Sequence, residues 1–239
     1  MTSEQELKFF LTGESTCSYL AGKKQKSIVA DPDFPLTSPL YTLLAENGFR
    51  RSGDMAYRPN CDECKACIPV RIPTAKFKPS RAQRRNIKKN EDLVVTSHPA
   101  TFNEAHFKLY CHYLAERHSD SAMNNPSKED YLSFLTSKDI DSVFYEFRFE
   151  QKLIAVAVTD ILENGLSAVY TYYHPDFSAR GLGTYAILWQ LSHALQLKLP
   201  WLYLGFWIEE CEQMAYKTNY QPIEGIQNQQ WQPIHPRGH

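Results

Sequence analysis

The sequence predicts an α/β fold of the α+β type, with a smaller N-terminal cysteine-bearing module over residues 1–98 and a larger domain over 99–239. Three observations carry this expectation. Up to about residue 98 the chain is rich in Pro and Gly and holds only short elements, whereas regular periodicity begins after Pro99. Three strand-like segments then follow one another across tight turns, the pattern of an antiparallel meander. A glycine-bearing loop, a long helix, one more strand and a further helix complete the order.

In the first part, "DPDFPLTSPLY" reads as loop, and "YTLLAENG" reads as a helix ending on Gly48. "KPSRAQRRNIKKN" reads as a capped helix, because Ser80 can cap it and Gln83, three residues on, completes a capping box. After Pro99, "FNEAHFKLYCHYLAERH" places Phe102, His106, Phe107, Tyr110 and Leu114 at helical spacing, and "SKEDYLSFLTS" is a second amphipathic stretch. The meander strands are 143–149, 153–162 and 166–173, joined by "EQK" and "ENG" turns. The connection "HPDFSARGLG" leads into the helix "TYAILWQLSHALQLK". The strand "WLYLGFWI", the helix "EECEQMAYKTNY" and a Pro-bearing tail follow.

A chain of 239 residues with 43% hydrophobic and 22% charged content is a globular one. The first residues carry acids where a secretory leader needs basic ones, and no apolar run approaches the roughly 20 residues of a membrane span, so a cytoplasmic protein without a membrane partner is expected. Six cysteines are too few for a disulfide scaffold, and clustered thiols in a reducing compartment are more often metal ligands or redox groups. The net charge of −1 hides an asymmetry: residues 71–90 carry eight Lys or Arg and no acid, which leaves −9 on the rest of the chain. An acidic body with one basic patch is the footprint of a polyanionic partner. On the predicted helix Arg81, Arg84, Arg85, Lys88 and Lys89 share one face. Five like charges repel one another unless a partner neutralises them.

The turn "SARGLGTY" follows a strand and precedes a helix, so Gly181 and Gly183 let backbone N–H groups approach an anion. In this strand order it is similar to the pyrophosphate loop of the GCN5-related acetyltransferase fold, and the larger domain is expected to be acetyltransferase-like. That loop usually opens with Gln or Arg where this chain has Ser178, which weighs against coenzyme A, while Arg180 beside it can still meet a phosphate or a carboxylate.

Four segments, "GFRRSGDMAYRPNC", "PSRAQRRNIKKN", "YTYYHPDFSARGLGTYAILWQ" and "YLGFWIEECEQMAYKTNYQP", together resemble the aminoacyl-tRNA:protein transferases, most closely the bacterial aspartate/glutamate leucyltransferase branch. The resemblance runs from about Cys17 to Pro222. It implies transfer of leucine from leucyl-tRNA to a protein's N-terminal Asp or Glu, which marks that protein for degradation. No metal or nucleotide is required for the chemistry. Two competing readings are an acyl-coenzyme A N-acetyltransferase and a noncatalytic zinc-knuckle RNA-binding protein.

An aminoacyl ester is already activated, so such an enzyme must orient the amine, stabilise an oxyanion and move one proton. The candidates for that work are Tyr170, Tyr172, Glu209 and Asp160, each of which also reads as a packed or edge-strand residue. An acidic acceptor calls for Arg, whose planar fork holds a carboxylate bidentately. Arg50, Arg51 and Arg58 lie in the shared motif and Arg180 beside the loop, and the alternative for any of them is pairing with an internal acid. Lys217 is a candidate for the terminal adenosine of tRNA. "YRPNCDECKACIPVRIP" spaces Cys61, Cys64 and Cys67 three apart, and Cys17 is the fourth ligand in family terms, making a candidate zinc or iron–sulfur set. The arginyl branch carries a second cysteine where "TCSYL" has Leu20. His98 and His106 are further candidate ligands.

Overall fold

A computed structural model describes residues 6–117 and 125–235. In chain order the first part comprises β1 (Phe9–Leu11), β2 (Ser15–Thr16), β3 (Lys24–Gln25), β4 (Ser27–Ala30), α1 (Ser38–Glu46), β5 (Arg50–Ser52), β6 (Met55–Pro59) and β7 (Ile68–Pro73). Then come α2 (Arg81–Lys89), β8 (Val94–Pro99), α3 (Glu104–Arg117) and α4 (Lys128–Leu135). The meander is β9 (Ser142–Phe149), β10 (Lys152–Leu162) and β11 (Gly165–Tyr173), within one residue of the expected bounds. α5 (Leu182–Gln196), β12 (Trp201–Trp207), α6 (Glu212–Ala215), β13 (Glu224–Gln227) and β14 (Gln230–Pro233) follow.

The main body is an eight-stranded mixed sheet in the order β14-β13-β7-β12-β11-β10-β9-β8, parallel only between β11 and β12. A four-stranded sheet, β1-β4-β6-β5, stands beside it. β7, and β8 except for its last residue, come from the first 98 residues and are strands of the large sheet, so that sheet runs across residue 98. Alternate side chains explain how both faces are covered. Phe147, Ala155 and Ala157 meet Leu182, Tyr185 and Ala186 of α5 on one face. Phe144, Val156 and Val158 meet Leu109, Tyr110 and Leu114 of α3, with Tyr131 and Leu135 of α4, on the other. Because β10 is sandwiched, it is buried without a break from Ile154 to Asp160.

One expectation changes: the final helix is broken, α6 giving way to a 3-10 turn over Tyr216–Asn219 after a single turn. The stretch "IPVRIP" beside the cysteines, assigned to no element from the sequence, is β7, a central strand whose Val70 and Ile72 are buried. Its two prolines are Pro73, which ends the strand, and Pro69, the second residue of it, next to Val70 where the register with β12 shifts.

Arg51 and Asp160 tie the small sheet to the large one. Arg51 Nε donates to Asp160 Oδ2 at 2.7 Å, and Ser142 Oγ donates to Oδ1 at 2.7 Å, with both charged side chains wholly excluded from solvent. Burial disfavours both charges, and their mutual attraction, with three further acceptors for the guanidinium at Gly53 O, Leu135 O and Ser142 Oγ, compensates. Arg51→Leu is therefore expected to cost about 3–5 kcal/mol by urea unfolding, and adding Asp160→Leu to recover most of it. A single-variant cost under about 1 kcal/mol would show the pair to be dispensable.

Candidate active site

β11 and β12 run side by side only at Gly165–Ser167 and Trp201–Tyr203. Beyond that they part, and each carries an irregularity where it leaves the other. Val169 bulges out of the β10 ladder, in which Val158 faces Tyr170 and Thr159 faces Ala168. Leu204 bulges out of the β7 ladder, and the next residue, Gly205, has φ of +73°. Bulges of this kind end pairing and re-aim backbone groups.

Arg50, from β5, enters the opening. Its Nη2 donates to Val169 O, and a Cβ on Gly205 would stand 2.5 Å from its Nη1, so only glycine lets β12 pass so close. Lys217, from the 3-10 turn, lies 2% exposed behind it, donating to Phe206 O and lying 3.3 Å from Met214 Sδ. Burial, and then the Arg50 charge, push the Lys217 pKa well below the ordinary 10.5. Tyr170 faces the same guanidinium, and its own pKa is raised by burial.

Phe206 connects this fork to a cleft of about 940 Å³. Tyr19, Tyr57, Arg58, Lys24, Lys26, Lys65 and all four clustered cysteines line it. Arg58 donates to Asn47 O at 2.8 Å and lies 5.0 Å above the Phe49 ring, two neutral partners that leave its charge uncompensated by them. Lys26 is paired with Asp62.

On the other side stands α2. The capping box forms as expected, with Ser80 accepting from the Gln83 N–H. Its inward face is polar rather than apolar: Gln83 donates to Asn219 O at 3.0 Å, and Asn86 and Asn90 both donate to Arg180 O at 3.0 Å. This pins α2 against the Gly181 loop and turns Arg81, Arg84, Arg85, Lys88 and Lys89 to solvent. Gly181 has φ of +65°, and a Cβ there would meet Asn86 at 2.7 Å. Gly183 lies in the first turn of α5.

Residues 15–85 match the family described as "Arginine-tRNA-protein transferase, N terminus", and residues 105–227 match its C-terminus counterpart. The "Aspartate/glutamate leucyltransferase" of Pseudomonas savastanoi pv. phaseolicola is 49% identical over 97% of this chain and 98% of its own length. That of Pseudomonas putida (strain GB-1) is likewise 49% identical over 97% of this chain. This chain belongs to the arginine-tRNA-protein transferase family. A solved structure, the C-terminal domain of a putative lysylphosphatidylglycerol synthetase from Agrobacterium fabrum, aligns with TM-score 0.47 at 12% identity over 71% of this chain and 51% of its own, too slight to argue from.

In this transferase the candidate residues separate by their partners. Arg50, Tyr170 and Lys217, expected in three different roles, come together at the fork. Arg51 and Asp160 are engaged with each other in the core, so neither carboxylate nor guanidinium faces a ligand. The Tyr172 hydroxyl is 2.9 Å from that of Tyr131, in a fully buried pair. Arg180 holds Asp92 bidentately at 2.8 and 2.9 Å, which raises its pKa and occupies the fork its guanidinium would offer a substrate. Glu209 is exposed just past β12. Tyr19 and Tyr57, absent from the sequence-based candidates, line the cleft, and no spacing in the sequence marks them.

The thiols of Cys17, Cys61, Cys64 and Cys67 share one cleft, and burial, followed by the neighbouring thiols, pushes Cys67 up to about 12. Their chemistry suits zinc or an iron–sulfur cluster. Among the described residues, however, no group of three or more His, Cys, Asp or Glu side chains is arranged to hold a metal ion. The cysteines converge without forming a ligand cage. His98 and His106 lie elsewhere, at 3.4 and 2.6 Å from the Glu146 carboxylate.

The buried lysine makes stability depend on pH. The unfolded chain holds a proton on Lys217 up to about pH 10.5, and the folded chain sheds it earlier, so stability rises with pH between the two values. Relative to Lys217→Met, the wild-type protein is expected to gain up to about 1.4 kcal/mol per pH unit in that window. Parallel stability profiles for the two proteins in urea, over about pH 7–9.5, would contradict the burial of the amine.

Proposed function

We propose that this transferase moves leucine from leucyl-tRNA to the N-terminal Asp or Glu of other proteins. The near-end-to-end match to aspartate/glutamate leucyltransferases carries the proposal. In the reaction the acceptor's α-amine attacks the ester carbonyl that joins leucine to the terminal ribose. A C–N bond forms, the ester C–O bond breaks, and the ribose hydroxyl leaves with the proton that the amine gives up. An α-amino group of pKa about 7.7–8.0 is about one-tenth neutral at pH 7, so a strong base is not demanded. The ester is already activated, so the chemistry is assigned to no metal or nucleotide.

The geometry fits this reaction as follows. Backbone N–H groups of β11 near Tyr170, where β12 has departed, are the candidate oxyanion donors. Arg50 positions the bulge at Val169, and Lys217 is the titratable group beside it for moving the proton. Arg58, in the cleft that meets the fork at Phe206, is the candidate for the acceptor's carboxylate. The basic face of α2, beside the Gly181 loop, is the candidate tRNA surface, and the catalytic part is read as acetyltransferase-like, its sheet completed by β7 and β8 from the N-terminal part of the chain. The four cysteines are kept as a candidate metal set that shapes the cleft. A cytoplasmic setting and a role in marking proteins for degradation belong to the same reading; no helix among the described residues is long and apolar enough to cross a membrane. Acetyl transfer is disfavoured by Ser178 in the loop, and a purely RNA-binding role leaves the fork without a task.

Purified protein incubated with labelled leucyl-tRNA, arginyl-tRNA or acetyl-coenzyme A is expected to label peptides beginning with Asp or Glu, and not Lys or Ala, from leucyl-tRNA. Label from acetyl-coenzyme A alone would sink the proposal. Arg58→Ala is expected to raise the peptide KM by about 10- to 100-fold, the loss of a charged hydrogen bond, with little change in tRNA affinity. Joint Arg84→Glu and Arg85→Glu substitution should weaken tRNA binding and flatten its log–log salt slope by roughly 1.5–2. A fall in peptide affinity with unchanged tRNA binding would reassign α2.

A further inference from the structure

The cleft that Phe206 joins to the fork is far larger than the single acidic residue so far assigned to it. Its volume of about 940 Å³ stands at the upper end of the roughly 300–1,000 Å³ that encloses a whole drug-sized ligand. Among the described residues, the charged side chains that line it are Arg58, Lys24, Lys26, Lys65 and one acid, Glu46. Glu46 already accepts from the Asn164 amide at 2.6 Å, and Lys26 is paired with Asp62. Lys65 donates to Cys61 O at 3.1 Å, a neutral partner. Lys24 lies 3.8 Å from Glu14 with both side chains half exposed or more, a pair that water and salt screen. The β13–β14 turn adds a rim of exposed amides, Gln227, Asn228 and Gln229. That rim is anchored. The Arg71 guanidinium lies between the Trp201 and Trp231 rings, 3.5 and 4.2 Å from their centroids, and pairs with Glu224 at 3.0 Å. Trp231 Nε1 donates to Glu46 O at 2.8 Å, one residue before the Asn47 carbonyl that takes Arg58. The amide rim and the Arg58 cation are thereby set against the same turn of backbone.

We infer that this cleft also holds the second to fourth residues of the acceptor chain, and that it favours acidic over basic side chains at the second and third. The inference rests on the transfer reading above and extends recognition past the first residue. An acceptor whose first side chain is at Arg58, with its amine toward the fork, leaves its following residues in the cleft. Amide side chains both donate and accept, so the rim can pair with peptide N–H and C=O groups of any sequence. Charge supplies the selection: Lys24 and Lys65 attract a carboxylate and repel an ammonium. Because both lysines are exposed, each contact is worth little alone, and the preference is graded where the one at Arg58 is steep.

The test holds the first residue constant. With leucyl-tRNA as donor, kcat/KM is measured for the amidated peptides Asp-Ala, Asp-Ala-Ala-Ala, Asp-Glu-Glu-Ala and Asp-Lys-Lys-Ala, on the wild type and on the Lys24→Glu, Lys65→Glu double variant. On the wild type Asp-Glu-Glu-Ala is expected to exceed Asp-Lys-Lys-Ala by about 3- to 30-fold. Salt of about 0.5 M should bring that ratio toward one. In the double variant the ratio is expected to fall to one or below. If that variant does not fold by circular dichroism, Lys24→Glu alone is expected to lower the same ratio. Shortening Asp-Ala-Ala-Ala to Asp-Ala should raise KM by about 3- to 10-fold, the net worth of one or two neutral hydrogen bonds. Equal efficiency for the two charged peptides overturns the inference, as does a dipeptide KM equal to that of the tetrapeptide. A wild-type preference that the lysine substitutions leave unchanged overturns it too. A wild-type protein that transfers leucine to none of the four peptides would instead sink the transfer reading itself.

Discussion

The separation of β11 from β12 is the constraint around which the rest of the molecule is arranged. A sheet that opens in its interior exposes carbonyl and N–H groups that a ladder would otherwise satisfy, and a buried polar backbone group cannot be left without a partner. Two nitrogen-bearing side chains from distant parts of the chain meet the carbonyls: Arg50 at Val169 and Lys217 at Phe206. Each gives its hydrogens to a carbonyl there, so acceptors of the opening are satisfied and its N–H groups are left to a ligand. A substrate carbonyl that gains negative charge is what such a place favours.

That arrangement demands rigid support from the small sheet, because Arg50 reaches the fork only if β5 is held in place. Neighbouring residues on a strand point to opposite sides, and β5 uses both. Arg50 enters the fork while Arg51, one residue on, is locked to Asp160 of β10 and to the carbonyl of Leu135 at 3.1 Å. The buried ion pair thus fixes the strand that carries the half-buried Arg50. Gly205 completes the fit from the other side, since any side chain there would displace the Arg50 guanidinium.

Much of this fold was legible in the sequence and much of the site was not. The meander could be read because β9, β10 and β11 are long, apolar and separated by tight turns, and α2 because Ser80 and Gln83 spell its cap. The strands β4 to β7 are short, two of them end in Pro, and pairing across the chain rather than local pattern makes them strands. Adjacent arginines in "FRRSGD" look alike in a sequence, whereas their partners separate them by role. Lys217 read as a nucleic-acid cation because the sequence shows charge and not burial. The inward face of α2 escaped notice for the same reason: Gln83, Asn86 and Asn90 are a docking face made of amides, which no apolar periodicity reveals.

The amide docking of α2 also bears on how two large substrates could share one small opening. An apolar face would have fixed the helix as firmly, but its amides instead grip Arg180 O, and Asn86 a second carbonyl at Gly181. The basic face and the loop at the start of α5 are thereby held as one unit. The cysteine-lined cleft reaches the fork from elsewhere, through Phe206, and carries its own cation in Arg58. Under the transfer reading, a polyanion lying along α2 and an acidic chain end held at Arg58 would be drawn by separate cations, so neither competes for the other's charge. Arg50 and Lys217, both turned to backbone carbonyls, are left to shape the place where the two meet.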